Sequence, residues 1–242
     1  YELNKIFQPK FKTAGLKETA KIAYPYCSYN TWRIGSRIFP IRKSMIKENC
    51  KRPVDSSILY LHDSIYYDGY WQSEEYFKDI KGIILKEFSF PPFDERNEAC
   101  AKEIISSNSL SIHIRRGDFL NHPLYKDICT LQYYQDAIKR ICALAKIDHA
   151  FIFSNDIQWC EDNLSLFLND QMTTYIDWNK GSQSYNDIHL MSLCKHNIIA
   201  NSSFSWWGAW LNPNPDKVVI SPRIWDNSGA VSNPICKDWI KI

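Results

Sequence analysis

Ser111-Ile112-His113-Ile114-Arg115-Arg116-Gly117-Asp118 decides the fold, because a short alternating apolar run passes here into a turn carrying two cations and an acid. Leu110–Ile114 alternates as a strand does, so Ile112 and Ile114 share one face and His113 and Arg115 the other. Outward from this strand, Leu131–Lys146 sets Tyr134, Ala137, Ile138, Ile141, Cys142 and Ala145 at helical spacing, and Ala150–Phe153 is again a short apolar strand. The pattern continues with helix at Ile157–Leu168, strand at Met172–Ile176, helix at Tyr185–Cys194 and strand at Asn197–Ala200. A short helix, Ser205–Leu211, stops at Asn212-Pro213, and Lys217–Ser221 is the last clear strand. This alternation predicts an α/β fold on a doubly wound, Rossmann-like parallel sheet. Ligands of such sheets bind beyond the carboxyl ends of the strands, where both the arginine turn and the turn after Ala200 lie.

Before residue 105 the pattern is weaker. Ser73–Phe88 has the spacing of an amphipathic helix with Tyr76, Phe77, Ile80, Ile83 and Ile84 inward, and Ile58–Leu61 reads as a strand. The remainder is aromatic and irregular. The predicted division is therefore 1–104 as the remainder of an N-terminal lobe, 105–225 as the Rossmann-like ligand-binding domain, and 226–242 as a C-terminal segment.

The chain of 242 residues is 45% hydrophobic and 14% aromatic, a globular composition with room for a sizeable core. Its net charge of +2, from 29 basic and 27 acidic residues, gives no concentrated basic face and argues against nucleic-acid binding. The eight cysteines form no C-x-x-C pair, and in a chain of this size they read as reduced thiols of a cytoplasmic protein. Neither an apolar run of about 18 residues nor a signal peptide is present. The start at Tyr1, without methionine, reads as the interior of a domain, so a preceding segment is expected.

Two adjacent guanidiniums at a strand end suit a diphosphate, because each forms forked, charge-assisted bonds to phosphate oxygens. That makes His113, Arg115 and Arg116 candidate anion-binding residues, with Gly117 permitting the tight turn. Asp118 either holds an arginine in place or acts as an acid/base group. In Asn201-Ser202-Ser203-Phe204-Ser205 the serines and asparagine suit the start of a helix, whose free N–H groups and dipole favour an anion. Asp187 either accepts from the ring N–H and amine of a guanine or sits in the first turn of a helix, where acids are favoured. Asn155-Asp156 is better placed to cap the next helix than to meet a ligand. No His, Asp or Glu cluster has metal-ligand spacing, so no metal and no resident cofactor are expected. The absence of a G-x-x-x-x-G-K-[ST] loop and of G-x-G-x-x-G disfavours an NTPase or a dinucleotide oxidoreductase.

Taken together these stretches resemble the alpha-1,2-fucosyltransferase family, glycosyltransferase family 11. Ser111–Asp118 looks like its hallmark motif, and Gly69-Tyr70-Trp71-Gln72-Ser73-Glu74-Glu75-Tyr76-Phe77 is similar to a further block. The longest match runs from Cys194 through Asn201-Ser202-Ser203-Phe204-Ser205-Trp206-Trp207 to Asn212. The resemblance implies a two-lobed GT-B-like fold, GDP-L-fucose as donor, a galactose-terminated glycan as acceptor and no required metal. It further implies that Arg115 meets the β-phosphate, that Ser202–Ser205 cradle it and that Asp187 reads guanine. An acceptor on a glycolipid would bring the protein to a membrane surface as a peripheral partner. The family's N-terminal G-G-L-G-N-Q-type loop has no counterpart here, and Asn155 stands where the family often carries aspartate. Two alternatives remain: a transferase for another GDP-sugar or linkage, and a non-catalytic nucleotide- or glycan-binding module.

Overall fold

The computed structural model describes residues 3–7, 12–24, 29–35, 37–40, 42–49, 52, 54–60, 64–165, 167–168, 173–230 and 233–242. The chain forms two compact units: one of Gln8–Phe88 with Ala230–Pro234, the other of Tyr1–Phe7, Ser89–Gly229 and Ile235–Ile242. The larger unit begins with the short helix α1 (Leu3–Ile6). The smaller unit carries α2 (Leu16–Ala23), α3 (Tyr29–Gly35), the parallel pair β1 (Met45–Lys47) and β2 (Tyr66–Asp68), and α4 (Lys81–Glu87).

Two local expectations fail in the smaller unit. Ser56–Tyr60 is a 3-10 helix and not a strand, while Leu61 lies outside the described residues. The cause is local: the Asp55 carboxylate accepts from the Ser57 amide and hydroxyl at 3.1 and 2.6 Å, which curls the chain. The helix expected over Ser73–Phe88 is broken into 3-10 turns at Glu74–Tyr76 and Lys78–Ile80 before α4 begins. Phe77, at φ −147° and ψ 4°, interrupts the helical path, and Ile80 and Ile83 end up 48% and 59% exposed.

The larger unit continues with α5 (Glu95–Ser106), β3 (Ser109–Ile114), α6 (Leu131–Cys142), β4 (His149–Ser154), α7 (Ile157–Leu164), β5 (Thr173–Ile176), α8 (Tyr185–Leu193), β6 (His196–Ile198), α9 (Ser203–Leu211), β7 (Val219–Ser221) and β8 (Ile240–Lys241). Residue 172, the expected start of β5, lies outside the described residues. The six strands β3 to β8 form one sheet in the order β5-β4-β3-β6-β7-β8, and every pair is parallel. Counted from β3, that order is 3-2-1-4-5-6, the doubly wound Rossmann order, whose direction reverses between β3 and β6.

The sheet buries a core on each face. Leu110, Ile112 and Ile114 of β3 pack with Tyr134, Ala137, Ile138 and Ile141 of α6 and with Cys160 and Leu164 of α7. On the other face Phe151 and Phe153 of β4 meet Cys100, Ala101 and Ile104 of α5 and Leu190 and Met191 of α8. Cys142, read from its spacing as part of the inward face of α6, is exposed. Helix α5, which the sequence reading leaves within the irregular N-terminal region, covers its few apolar residues with a charged outer face. Packed as it is, it carries the larger unit back to Ser89, where the sequence division stood at 104/105. Residues 235–242 also join this unit, because β8 extends the sheet beside β7.

β3 is buried at all six positions, three of them polar. Ser109 accepts from the Lys195 amide at 3.1 Å and Ser111 from the Asn197 side-chain amide at 2.6 Å, so both buried serines of its polar face are hydrogen-bonded to the segment Lys195–Asn197. Helices α8 and α9 approach closely, since a Cβ at Gly208 would lie 2.8 Å from Met191 Cβ.

Candidate active site

A cleft of about 580 Å³ opens beyond the carboxyl ends of β3, β4 and β5, in the larger unit. Strand alternation delivers His113 and Arg115 to it from the polar face of β3. Ser154 and Asn155 enter from the end of β4, Asn179 and Lys180 from the loop after β5, Asp187 from the first turns of α8, and Phe204 from the start of α9.

The two adjacent arginines have opposite surroundings. Arg115 lines the cleft, and its Nη2 is held by both Asp118 oxygens at 2.8 and 2.9 Å. Its Nε is buried without a hydrogen-bond partner among the described residues, so donor capacity remains for an anion. Arg116 is instead bound to the turn after β4. Its Nε donates to Asp156 at 2.9 Å, its guanidinium lies 4.0 Å from the Trp159 ring centroid, and its amide donates to Asn155. Asp156 also caps α7 by accepting from the Trp159 amide. Between them Gly117 adopts φ +55°, and a Cβ there would lie 2.7 Å from Asn155 Nδ2. Asp118 is exposed and ion-paired with Arg115.

In the serine turn, side chains of Asn201, Ser202 and Ser205 hydrogen-bond to the backbone. Ser202 caps α9 by accepting from the Phe204 amide, and Ser205 is buried with its hydroxyl donating to the Ala200 and Ser202 carbonyls. Asn201 donates to the Trp225 carbonyl at 3.1 Å, and Ser203 is exposed. Of the five residues Asn201–Ser205, Phe204 alone lines the cleft, tilted 5.5 Å from the His113 ring.

Burial shapes the charge of the cleft. It pushes His113 down to about 3, with Arg115 adding to the effect, so the imidazole is neutral at neutral pH; its Nδ1 is buried and unpartnered among the described residues. Burial raises Asp187 to about 7, opposed by the hydrogen bond from Asn179 at 2.8 Å. The cleft thus combines the Arg115 and Lys180 side chains, the Asp177 carboxyl, a neutral imidazole and an Asp187 carboxyl poised near neutrality. Among the described residues no group of three or more His, Cys, Asp or Glu could hold a metal ion, and no helix is long and apolar enough to cross a membrane.

Asn179 and Lys180 are not among the residues the motifs single out. The signal was available: they follow β5, and the strand-end rule that selects Arg115 selects them too.

A family model described as Glycosyl transferase family 11 matches residues 47–242. The chain belongs to that family, as its motifs led one to expect. The O-antigen biosynthesis glycosyltransferase WbnK of Escherichia coli is 37% identical over 140 residues, which cover 57% of this chain and 45% of the relative. The alpha-1,2-colitosyltransferase of Escherichia coli is 32% identical over 185 residues, covering 74% of this chain and 63% of the relative. The human galactoside alpha-(1,2)-fucosyltransferase 1 is 24% identical over 184 residues, 63% of this chain and 48% of the relative. The chain thus spans 45–63% of the length of these relatives. Among solved structures, a fucosyltransferase NodZ from Bradyrhizobium matches 65% of this chain and 56% of that one, at 15% identity and a TM-score of 0.47.

Proposed function

We propose that this family 11 chain carries the donor site of an inverting glycosyltransferase, which moves L-fucose from GDP-L-fucose to the 2-hydroxyl of a terminal galactoside. The observation that carries the reading is the convergence of Arg115 and Asp187 on one cleft at the carboxyl ends of a Rossmann-ordered sheet. A guanidinium with free donors suits a diphosphate, and a half-buried carboxylate suits the N1–H and 2-amino donors of guanine.

Transfer follows from that placement. β-L-fucose on GDP becomes an α-linked product, so one inverting displacement suffices. As the bond to the sugar breaks, negative charge accumulates on the diphosphate, and Arg115, held by Asp118, faces that charge. Lys180 adds a second cation to the same cleft. Phe204 and the neutral His113 complete a wall that excludes water beside the donor. The base that takes the acceptor proton is not assigned, since Asp118 is engaged with Arg115.

A second reading draws on the 32% identical relative, whose name gives the same α-1,2 linkage with colitose as the sugar. Colitose lacks a hydroxyl that fucose carries, so pocket contacts to that hydroxyl would separate the two donors. Incubation with a galactoside acceptor and, in parallel, GDP-fucose, GDP-colitose and GDP-mannose tests both readings. Formation of an α-1,2-fucosylated product, read by NMR, is expected. Transfer from GDP-colitose alone would replace fucose by colitose, and GDP binding without transfer from any donor would point to a binding module.

A further inference from the structure

From the cleft wall inward to α5 runs a chain of side-chain amides, Asn179 and Asn97, that the donor reading does not use. Asn97, fully buried on α5, donates from Nδ2 to both oxygens of Asp94 at 3.1 and 3.0 Å and to Asn179 Oδ1 at 2.9 Å. Its Oδ1 accepts from Trp178 Nε1 at 2.9 Å and from Asn179 Nδ2 at 2.8 Å. Asn179 Nδ2 then donates its other hydrogen to Asp187 Oδ1 at 2.8 Å. Every hydrogen-bonding position of the Asn97 side chain is filled.

The outer partners fix the direction of this chain. An ionised carboxylate can only accept and an indole N–H can only donate, so Asp94 and Trp178 leave Asn97 a single orientation. The reciprocal amide pair transmits that choice to Asn179, whose NH2 must face Asp187. An unconstrained Asn179 could flip and present its carbonyl oxygen, which would favour a protonated Asp187.

We infer that Asn97, oriented by Asp94 and Trp178, is a positioning residue that aims the Asn179 amide at Asp187 and so keeps the Asp187 carboxylate ready to accept from the donor's purine base. This rests on the reading of Asp187 given above. The surroundings make the assignment testable by pH. Cys100 of α5, raised to about 12, and His113 and His189, lowered to about 3 and 4, are uncharged near neutrality. Arg115, Lys180 and Asp177 line the same cleft. Asp187, raised to about 7, is then the group that titrates there. Because the ionised form accepts from the base, GDP affinity should rise as pH rises through about 7.

The experiment titrates GDP, and IDP (which lacks the 2-amino group), into the wild type and three variants between pH 5.5 and 8.5. Asn97→Leu removes the relay, Trp178→Phe removes the indole donor while keeping an aromatic ring, and Asp187→Asn removes the carboxylate; circular dichroism checks each fold. Asn97→Leu should bind GDP about tenfold less tightly at pH 7, lose part of the GDP-over-IDP preference, and regain affinity at higher pH than the wild type. Trp178→Phe should shift the midpoint in the same direction by less, and it keeps the test open if Asn97→Leu does not fold. If Asp187→Asn abolishes the preference while folded Asn97→Leu or Trp178→Phe leaves preference and midpoint unchanged, the relay is wrong and base reading by Asp187 stands. If Asp187→Asn keeps the wild-type preference, both ideas fall.

Discussion

The turns after β3 and after β6 flank the point where the sheet order reverses, and both carry residues suited to phosphate, yet they reach different ends. The first sends Arg115 into the cleft while Arg116 is tied to Asp156 and Trp159. The second engages Ser202 and Ser205 in its own cap and backbone and sends a phenylalanine ring to the cleft wall. The difference shows that residue type at a strand end proposes a role and that local partners decide it. A side chain whose hydrogen bonds are already made by its own turn is placed to shape a site, and one left with free donors is placed to bind.

The sharpest way to break this comparison is to exchange the two arginines' fates. Arg115→Ala should lower turnover at least tenfold to about a hundredfold, the loss of one or two charge-assisted bonds of about 1.5–3 kcal/mol each, while the melting temperature changes little. Arg115→Lys should rescue poorly, because a point charge lacks the guanidinium fork. Arg116→Ala should show the reverse: about 1 kcal/mol of stability lost with its ion pair and ring contact, and a smaller loss of turnover. Equal turnover losses for the two, without any loss of stability in Arg116→Ala, would return both to phosphate binding.

Gly117→Ala probes the hinge between them. A Cβ there must adopt φ +55° and displace Asn155 Nδ2 at 2.7 Å, so about 1–3 kcal/mol of destabilisation is expected in denaturant melts. Turnover should fall as well, because Asn155 lines the cleft. A fully stable, fully active Gly117→Ala enzyme would show that the turn is not held as described.

On the other side, Ser202→Ala should cost about 1 kcal/mol through loss of the α9 cap and leave turnover at saturating donor near the wild-type value. A tenfold fall in turnover with unchanged stability would make the hydroxyl a ligand to the donor and erase the contrast between the turns.

The smallest expected effect is that of a chelator. If Arg115 and Lys180 face the leaving diphosphate, transfer in excess EDTA should match that in added magnesium or manganese. Complete loss in EDTA, restored by the metal, would assign leaving-group stabilisation to a cation and not to the arginine turn.

The sheet was legible because its signal is local and repeated. Short apolar runs spaced by helical periodicity identify β3 to β7 within a few residues, since each must bury an apolar face against a helix. β8 and α5 were not, for opposite reasons. β8 is two residues long and exists only through pairing with β7. α5 carries three buried apolar residues behind Glu95, Glu98 and Lys102, and its place beneath the sheet is set by packing against β4 and α8. The short 3-10 turns around Phe77 were hidden because helical spacing cannot register a single non-helical residue.

For the site, the sequence alone determined that Arg115 leaves a strand end, that an acid opens α8, and that a capped helix follows β6; each is a matter of alternation or of the chemistry of helix starts. Tertiary structure decided which groups share a cleft and in what state. It paired Arg116 with Asp156 across 40 positions of sequence, joined Asn97 to Asn179 across 82, and partly desolvated Asp187, which pushes its carboxyl up to about 7. No periodicity encodes such contacts, because a hydrogen bond or a desolvated charge depends on distances between segments that only the closed fold brings together.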